Sequence, residues 1–342
     1  MRELLKKLCA ARGVSSREDE VRTLVRAEAE PWADELLVDP LGSLIVRKRG
    51  RKPGKAPLML TAYLDECGVM VSDHTEDGFL RFQTVGSVDR RSIIGKPVLL
   101  GEKRISGVIG MKPVHLSTKE ERKRVPKTDN LYIDIGAKNR EEAEQKAVLG
   151  EVGTFAVSAG PFGAGLWKGR GLDSRIPCAV LLSLLREDWE ESCTFVFAAH
   201  GQLGGRGLYG PALRERPIAA LCLHGAAAED LWHIPEGQRC CRLGGGVVLP
   251  VSDRGTMYDR GIFEELRSLA VAQTISWQLQ AHATGNAGSG AVQRRGLGVP
   301  TAGLALPVRN LHAPTELCAL SDGEAMRTLC RAWLTNAGKE RP

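Results

Sequence analysis

The sequence predicts an α/β fold interrupted by a small all-β module. Apolar, strand-like runs at residues 57–62, 194–199, 219–224 and 299–306 lie among helical patterns on both sides of the chain's middle. The stretch from 68 to 162 differs: its short strand signals are separated by glycines, with little helix among them. The 342 residues, 43% hydrophobic, suffice for one large domain or two ordinary ones with a sizeable core.

Taken in order, Leu4, Leu5 and Leu8 open a helix. Ser16, followed by Glu18, Asp19 and Glu20, starts a second, with acidic residues in its first turn where they oppose the helix dipole. Asp39-Pro40-Leu41-Gly42 turns into a strand over 43–46, and a basic loop leads to the buried strand over 57–62. Strands at 69–71 and 79–82 flank Glu76-Asp77-Gly78, a hairpin signal. Further strands at 96–100, 107–109 and 132–135 and a helix over 139–146 fill the module. The α/β pattern returns near Leu166, with an apolar helix over 178–185 and a helix over 263–270. Ser321-Asp322-Gly323-Glu324 fits a capping box opening the last helix, through Leu329 and Trp333. The expected division is a discontinuous α/β domain, 1–67 and 163–342, with 68–162 inserted.

Net charge is +6, from 47 basic and 41 acidic residues. The basic runs at 47–55 and 119–127 carry no interleaved aromatic residues, so they read as solvated loops and no nucleic-acid partner is expected. Nine cysteines include no CxxC pair, which argues against a structural zinc knuckle. Cys178, Cys193 and Cys222 sit in apolar runs, as buried free thiols do. The charged start is no signal peptide and no apolar run reaches spanning length. A soluble, cytoplasmic protein without a membrane partner is expected.

Gly205-Arg206-Gly207-Leu208-Tyr209-Gly210 fits G-x-G-x-x-G. Five residues separate it from the preceding strand and Pro211 follows, so it reads as a glycine-rich turn. His74 and His282 read as exposed or structural. His200, His224 and His312 lie at or just past strand-like runs, where open α/β sheets build their sites. Asp173 precedes an apolar helix, as an N-cap or as a site residue.

Ordered matches then point to a family. Val38-Asp39-Pro40-Leu41-Gly42, Leu64-Asp65-Glu66-Cys67-Gly68, Leu172-Asp173-Ser174-Arg175, the glycines around Arg206, and Pro307-Val308-Arg309-Asn310-Leu311-His312 all contribute. So do Val85-Gly86-Ser87-Val88-Asp89 and Tyr132-Ile133-Asp134-Ile135-Gly136-Ala137 in the module. The chain resembles the co-catalytic metal aminopeptidases of the glutamyl and deblocking type, some of them labelled endoglucanases. The resemblance implies a zinc-exopeptidase-like domain, its mixed central sheet flanked by helices, and a small inserted β-barrel that mediates assembly into dimers or dodecamers. It also implies two divalent ions bridged by an aspartate, and a glutamate base that activates a metal-bound water.

Transferred position by position, most of that chemistry is missing. The first ligand histidine is Tyr63, the bridging aspartate is Asp173, and the base glutamate is Gly201. The ligand glutamate is Gln202, the second aspartate is His224, and the last histidine is His312. Gly288-Ser289-Gly290 stands where the family has Gly-Thr-Asp. His200 is expected to face away from position 201 by strand alternation, and Asp65 and Glu66 to serve structure. Two dications roughly 3.5 Å apart repel by roughly 19 kcal/mol at an effective dielectric near 20, and Asp173 is the one carboxylate left to offset this. The resemblance therefore implies a relative without peptidase activity and without a cofactor, its role being peptide binding or assembly, as a homo-oligomer or with a paralogue. The alternative is an active enzyme with one zinc, cobalt or manganese ion on Asp173, His224 and His312. A third reading, a glycosidase, would need a pair from Asp65, Glu66 and Asp173.

Overall fold

The computed structural model describes residues 2–337, apart from 53–55, 281, 283, 284 and 286. The part of the first basic run at 53–55 lies outside the described residues. Strands β1 (Glu35–Val38), β2 (Leu44–Lys48) and β3 (Leu58–Tyr63) precede the module. Its six strands are β4 (Gly68–His74), β5 (Leu80–Val85), β6 (Pro97–Leu100), β7 (Ile105–Met111), β8 (Leu131–Asp134) and β9 (Val152–Phe155). They close into a barrel in the order β4-β5-β8-β7-β6-β9. Alternate residues such as Val69, Val71, Leu80, Phe82, Ile109 and Ile133 fill its interior.

After the barrel come β10 (Gly160–Phe162), β11 (Leu166–Gly169), β12 (Cys193–Ala198), β13 (Ala219–Ala227), β14 (Val247–Leu249), β15 (Trp277–Leu279), β16 (Thr301–Val308) and β17 (Glu316–Ala319). The central sheet has eight strands in the order β1-β2-β12-β3-β13-β16-β14-β15. It is mixed. β12, β3, β13 and β16 run parallel, while β2 and β14 join antiparallel. β10, β11 and β17 form a separate three-stranded sheet, so β10 does not join the barrel.

Strand alternation sorts the central sheet's two faces. Leu58, Leu60 and Ala62 of β3 and Leu221 and Leu223 of β13 join the large core, together with the helices Arg2–Ala10, Asp19–Ala29, Leu172–Leu185, Arg260–Ala272 and Leu320–Asn336. Met59, Ala220 and Cys222 face the opposite side, against Leu208, Ala212 and Val292. Tyr63 and His224 inherit that second face, because each lies an even number of residues from Met59 or Cys222.

Several local expectations are corrected. The second helix begins at Asp19 with Glu18 as its N-cap, and Ser16 sits instead at a left-handed φ of 67°. Arg47 and Lys48 end β2 rather than a loop, and Arg47 forks onto the buried Glu215 at 2.9 and 2.8 Å. The run at 119–127 includes the short helix Lys119–Arg122, capped by Thr118. No capping box opens the last helix, whose N-cap is Ala319. Buried Asp322 instead accepts the backbone N–H groups of Gly244 and Gly246 at 2.8 and 2.9 Å. His74 is buried with its Nε2 2.6 Å from the Ala147 carbonyl, a structural role. Among the described residues, no helix is long and apolar enough to cross a membrane, and eight cysteines, Cys240 apart, are free thiols.

Candidate active-site cleft

A cleft of about 460 Å³ opens where β3, β12, β13 and β16 end. Tyr63, Asp173, Gly201, Gln202, His224 and His312 all line it. Tyr63 is the last residue of β3, and Gly201 and Gln202 lie in the one-turn helix Gly201–Leu203 after β12. His224 lies inside β13 rather than at its end, because the strand runs on to Ala227. His312 follows β16 at a φ of 64°. The sheet's topology therefore gathers residues spread over most of the chain, as expected at strand C-termini.

One wall is charged and anchored to backbone. Asp173 lies in the first turn of Leu172–Leu185, whose N-cap is Gly171, so the capping role expected of Asp173 is corrected. Its Oδ2 accepts the Gln202 side-chain N–H at 3.2 Å and lies 3.7 Å from His312 Nε2. Burial raises the Asp173 carboxyl above its usual range, opposed by His312, Gln202 and Arg175. Glu316, fully buried, accepts the backbone N–H of His312 at 2.7 Å and of Asp173 at 3.2 Å. Burial, then the nearby Asp173, pushes its carboxyl well above the carboxylate range. Sequence reasoning missed Glu316. Its one signal is position, four residues past His312 in His312-Ala313-Pro314-Thr315-Glu316.

The other wall is neutral. The Tyr63 hydroxyl donates to the Ala287 carbonyl, and burial raises the phenol well above its ordinary value, so it stays protonated. The Gln202 amide is shared: its oxygen accepts the Cys67 thiol at 3.1 Å while its nitrogen faces Asp173. Burial, together with Asp173, also raises Cys67, which keeps its proton. His224 is neutral because burial lowers its pKa. Its Nδ1 donates to the Gly225 carbonyl at 3.0 Å, which leaves the buried Nε2 lone pair without a hydrogen-bond partner among the described residues.

These donors do not fit a two-ion centre. A protonated phenol committed to a carbonyl is no ligand, and the amide presents N–H rather than oxygen to Asp173. Among the described residues, no group of three or more His, Cys, Asp or Glu side chains is arranged to hold a metal ion. Asp173, His224 and His312 thus share the cleft without forming such a group.

The remaining candidates lie elsewhere. His200 does not line the cleft. It lies past the end of β12, at a left-handed φ of 55°, so strand alternation does not apply to it, and its backbone N–H donates to Glu18 at 3.0 Å. Asp65 accepts Ser15 Oγ at 2.6 Å and the N–H groups of Gly201 and Gln202 at 2.7 and 2.8 Å. Burial lifts it to about 7. Glu66 is buried against Arg170 at 2.5 Å and Arg175 at 3.2 Å. Neither carboxylate lines the cleft, so no pair of carboxylates from this set faces across it.

The mixed central sheet, the cleft at its strand ends and the six-stranded barrel between β3 and β10 together define the architecture of an α/β metallopeptidase-type fold. Residues 42–329 match the M42 glutamyl aminopeptidase model, and the chain belongs to that family. FrvX of Escherichia coli strain K12 is 33% identical over 99% of this chain and 96% of its own length. The aminopeptidase APDkam598 of Desulfurococcus kamchatkensis superposes with a TM-score of 0.93 at 28% identity, covering 98% of this chain and 94% of that one. The dodecameric PhTET1-12s superposes at 0.85 with 27% identity, covering 97% and 98%.

Proposed function

We propose that this chain is a noncatalytic M42 relative that binds a peptide in the cleft without cutting it. The observation that carries the reading is the neutral wall. Tyr63, Gly201 and Gln202 supply neither a metal-binding anion nor a general base. A lone buried Asp173, already engaged by Gln202, is a poor anchor for two repelling dications. The test is metal analysis of protein purified without chelators, with peptide turnover assayed in added zinc, cobalt or manganese. Near-stoichiometric retention of two ions, or release of N-terminal residues, overturns the reading.

Assembly as a homo-oligomer, or with a paralogue, goes with it, and the dodecameric neighbour supports the former. The inserted segment 68–162 is the proposed contact. Sedimentation showing only monomer at micromolar concentration would contradict this. Eight free thiols, Cys240 apart, fit a reducing compartment such as the cytoplasm.

One observation favours a second reading, a one-ion aminopeptidase. His224 has an Nε2 without a hydrogen-bond partner among the described residues, and Asp173 and His312 are 3.7 Å apart in the same cleft. His and carboxylate donors would suit a single zinc, cobalt or manganese ion, which would polarise a peptide carbonyl. Chelator-sensitive turnover lost in Asp173→Ala would establish it.

A further inference from the structure

We infer that Tyr63 and Gly201 are one steric unit: the phenol ring fills the space that any side chain at 201 needs, so position 201 cannot regain a carboxylate while Tyr63 stays. The inference rests on the proposed reading of 201 as the vacated base position.

The backbone at 201 does not demand glycine. Its φ lies outside the left-handed region, whereas Gly204, Gly205 and Gly288 adopt φ of 84°, 71° and 71°. Space is what excludes a side chain. A Cβ at 201 would overlap Cγ and Cδ1 of Tyr63 and lie 2.7 Å from Asp65 Oδ1. The ring is restrained on the side away from the cleft. Its hydroxyl is tied to the Ala287 carbonyl, and a Cβ at Gly205 or Gly288 would already stand 2.8 or 2.5 Å from that oxygen. The ring packs against the cluster that includes Val292 and Leu208 on the same face of the sheet. Interiors packed to this density do not absorb an extra carbon without displacement. Two departures from the family pattern, one residue gaining bulk and one losing it, are thus a single exchange of volume.

A double-mutant thermal cycle tests this. Gly201→Ala should lower Tm by roughly 5 °C in the natural chain. The same step in a Tyr63→Ala background should cost less than half as much. In Tyr63→Phe, which keeps the ring and drops the hydroxyl, the full cost should remain. Equal costs in all three backgrounds overturn the inference. If Gly201→Ala yields no folded protein, recovery of folding on adding Tyr63→Ala supports it and continued failure overturns it. The cycle reads stability alone. Metal retention or turnover by the natural chain would remove the proposed function and leave the cycle's outcome unaffected.

Discussion

The two walls of the cleft are held together by different chemistry. The wall formed by Leu172–Leu185 and the turn after β16 carries Asp173, His312 and Glu316, with both carboxylates buried and Glu316 bound to backbone N–H groups. The wall formed by β3 and the turn after β12 carries a phenol, a glycine and an amide. A bridging metal centre draws ligands from both sides. Here the cleft-lining side chains Gln202 and Asp173 meet across it as a neutral amide on a carboxylate. The charged wall is therefore expected to be costly to disturb, because its groups are desolvated and partnered. The neutral wall depends mainly on fit, and its polar groups should each matter less.

The largest expected effect is on the charged wall. Glu316→Ala leaves the buried N–H groups of Asp173 and His312 without an acceptor. A loss of about 3 kcal/mol is expected, read by denaturant unfolding. A change under about 0.5 kcal/mol would erase the contrast between the walls. Next is Gln202→Glu, which sets a second carboxylate where the amide now meets Asp173 at 3.2 Å. The amide bond to Asp173 is lost, and the pair must either repel as two anions or take up a proton, so about 2 kcal/mol should go at neutral pH. The sign with pH follows from proton uptake. The folded pair would hold a proton that the unfolded carboxyls release near pH 4, so the variant's deficit should grow as pH rises above that value. A deficit independent of pH between 4 and 8 would show that the two groups do not meet.

The fold was legible because its signals are local and repeated. The alternation of Leu58, Leu60 and Ala62 against Met59, and the turn at Asp77-Gly78, each state a strand without help from distant residues. The short strand β14 and its edge neighbour β15 were not legible. Three residues each, they are made by pairing rather than by pattern. Asp322 shows the same limit. Its surroundings read as a cap, but the groups it binds belong to Gly244 and Gly246, far away in sequence. In the cleft, residue identities at 63, 201 and 202 foretold a neutral wall. They did not foretell that Tyr63 would lie against Gly201, or that Glu316 would anchor the opposite side. Both facts are contacts between separate segments, and no single-segment pattern encodes them.

The smallest expected effect is on the neutral wall, in Tyr63→Phe. The ring and its packing stay, and only the hydroxyl that reaches the Ala287 carbonyl is lost. That carbonyl borders the cleft, so water can replace the phenol as donor, and a loss of about 1 kcal/mol is expected. The change should be local. Ala287 is also held by its own N–H on Asp253 at 3.0 Å, so the segment stays anchored there. Amide exchange at residues 287–290 should quicken while the barrel strands keep their protection. Unaltered exchange there would mean that the phenol's hydrogen bond does not hold the segment, and that ring volume alone accounts for a tyrosine at the end of β3. A loss as large as that of Glu316→Ala would instead make the neutral wall as dependent on buried polar partners as the charged one, and the contrast between them would fail.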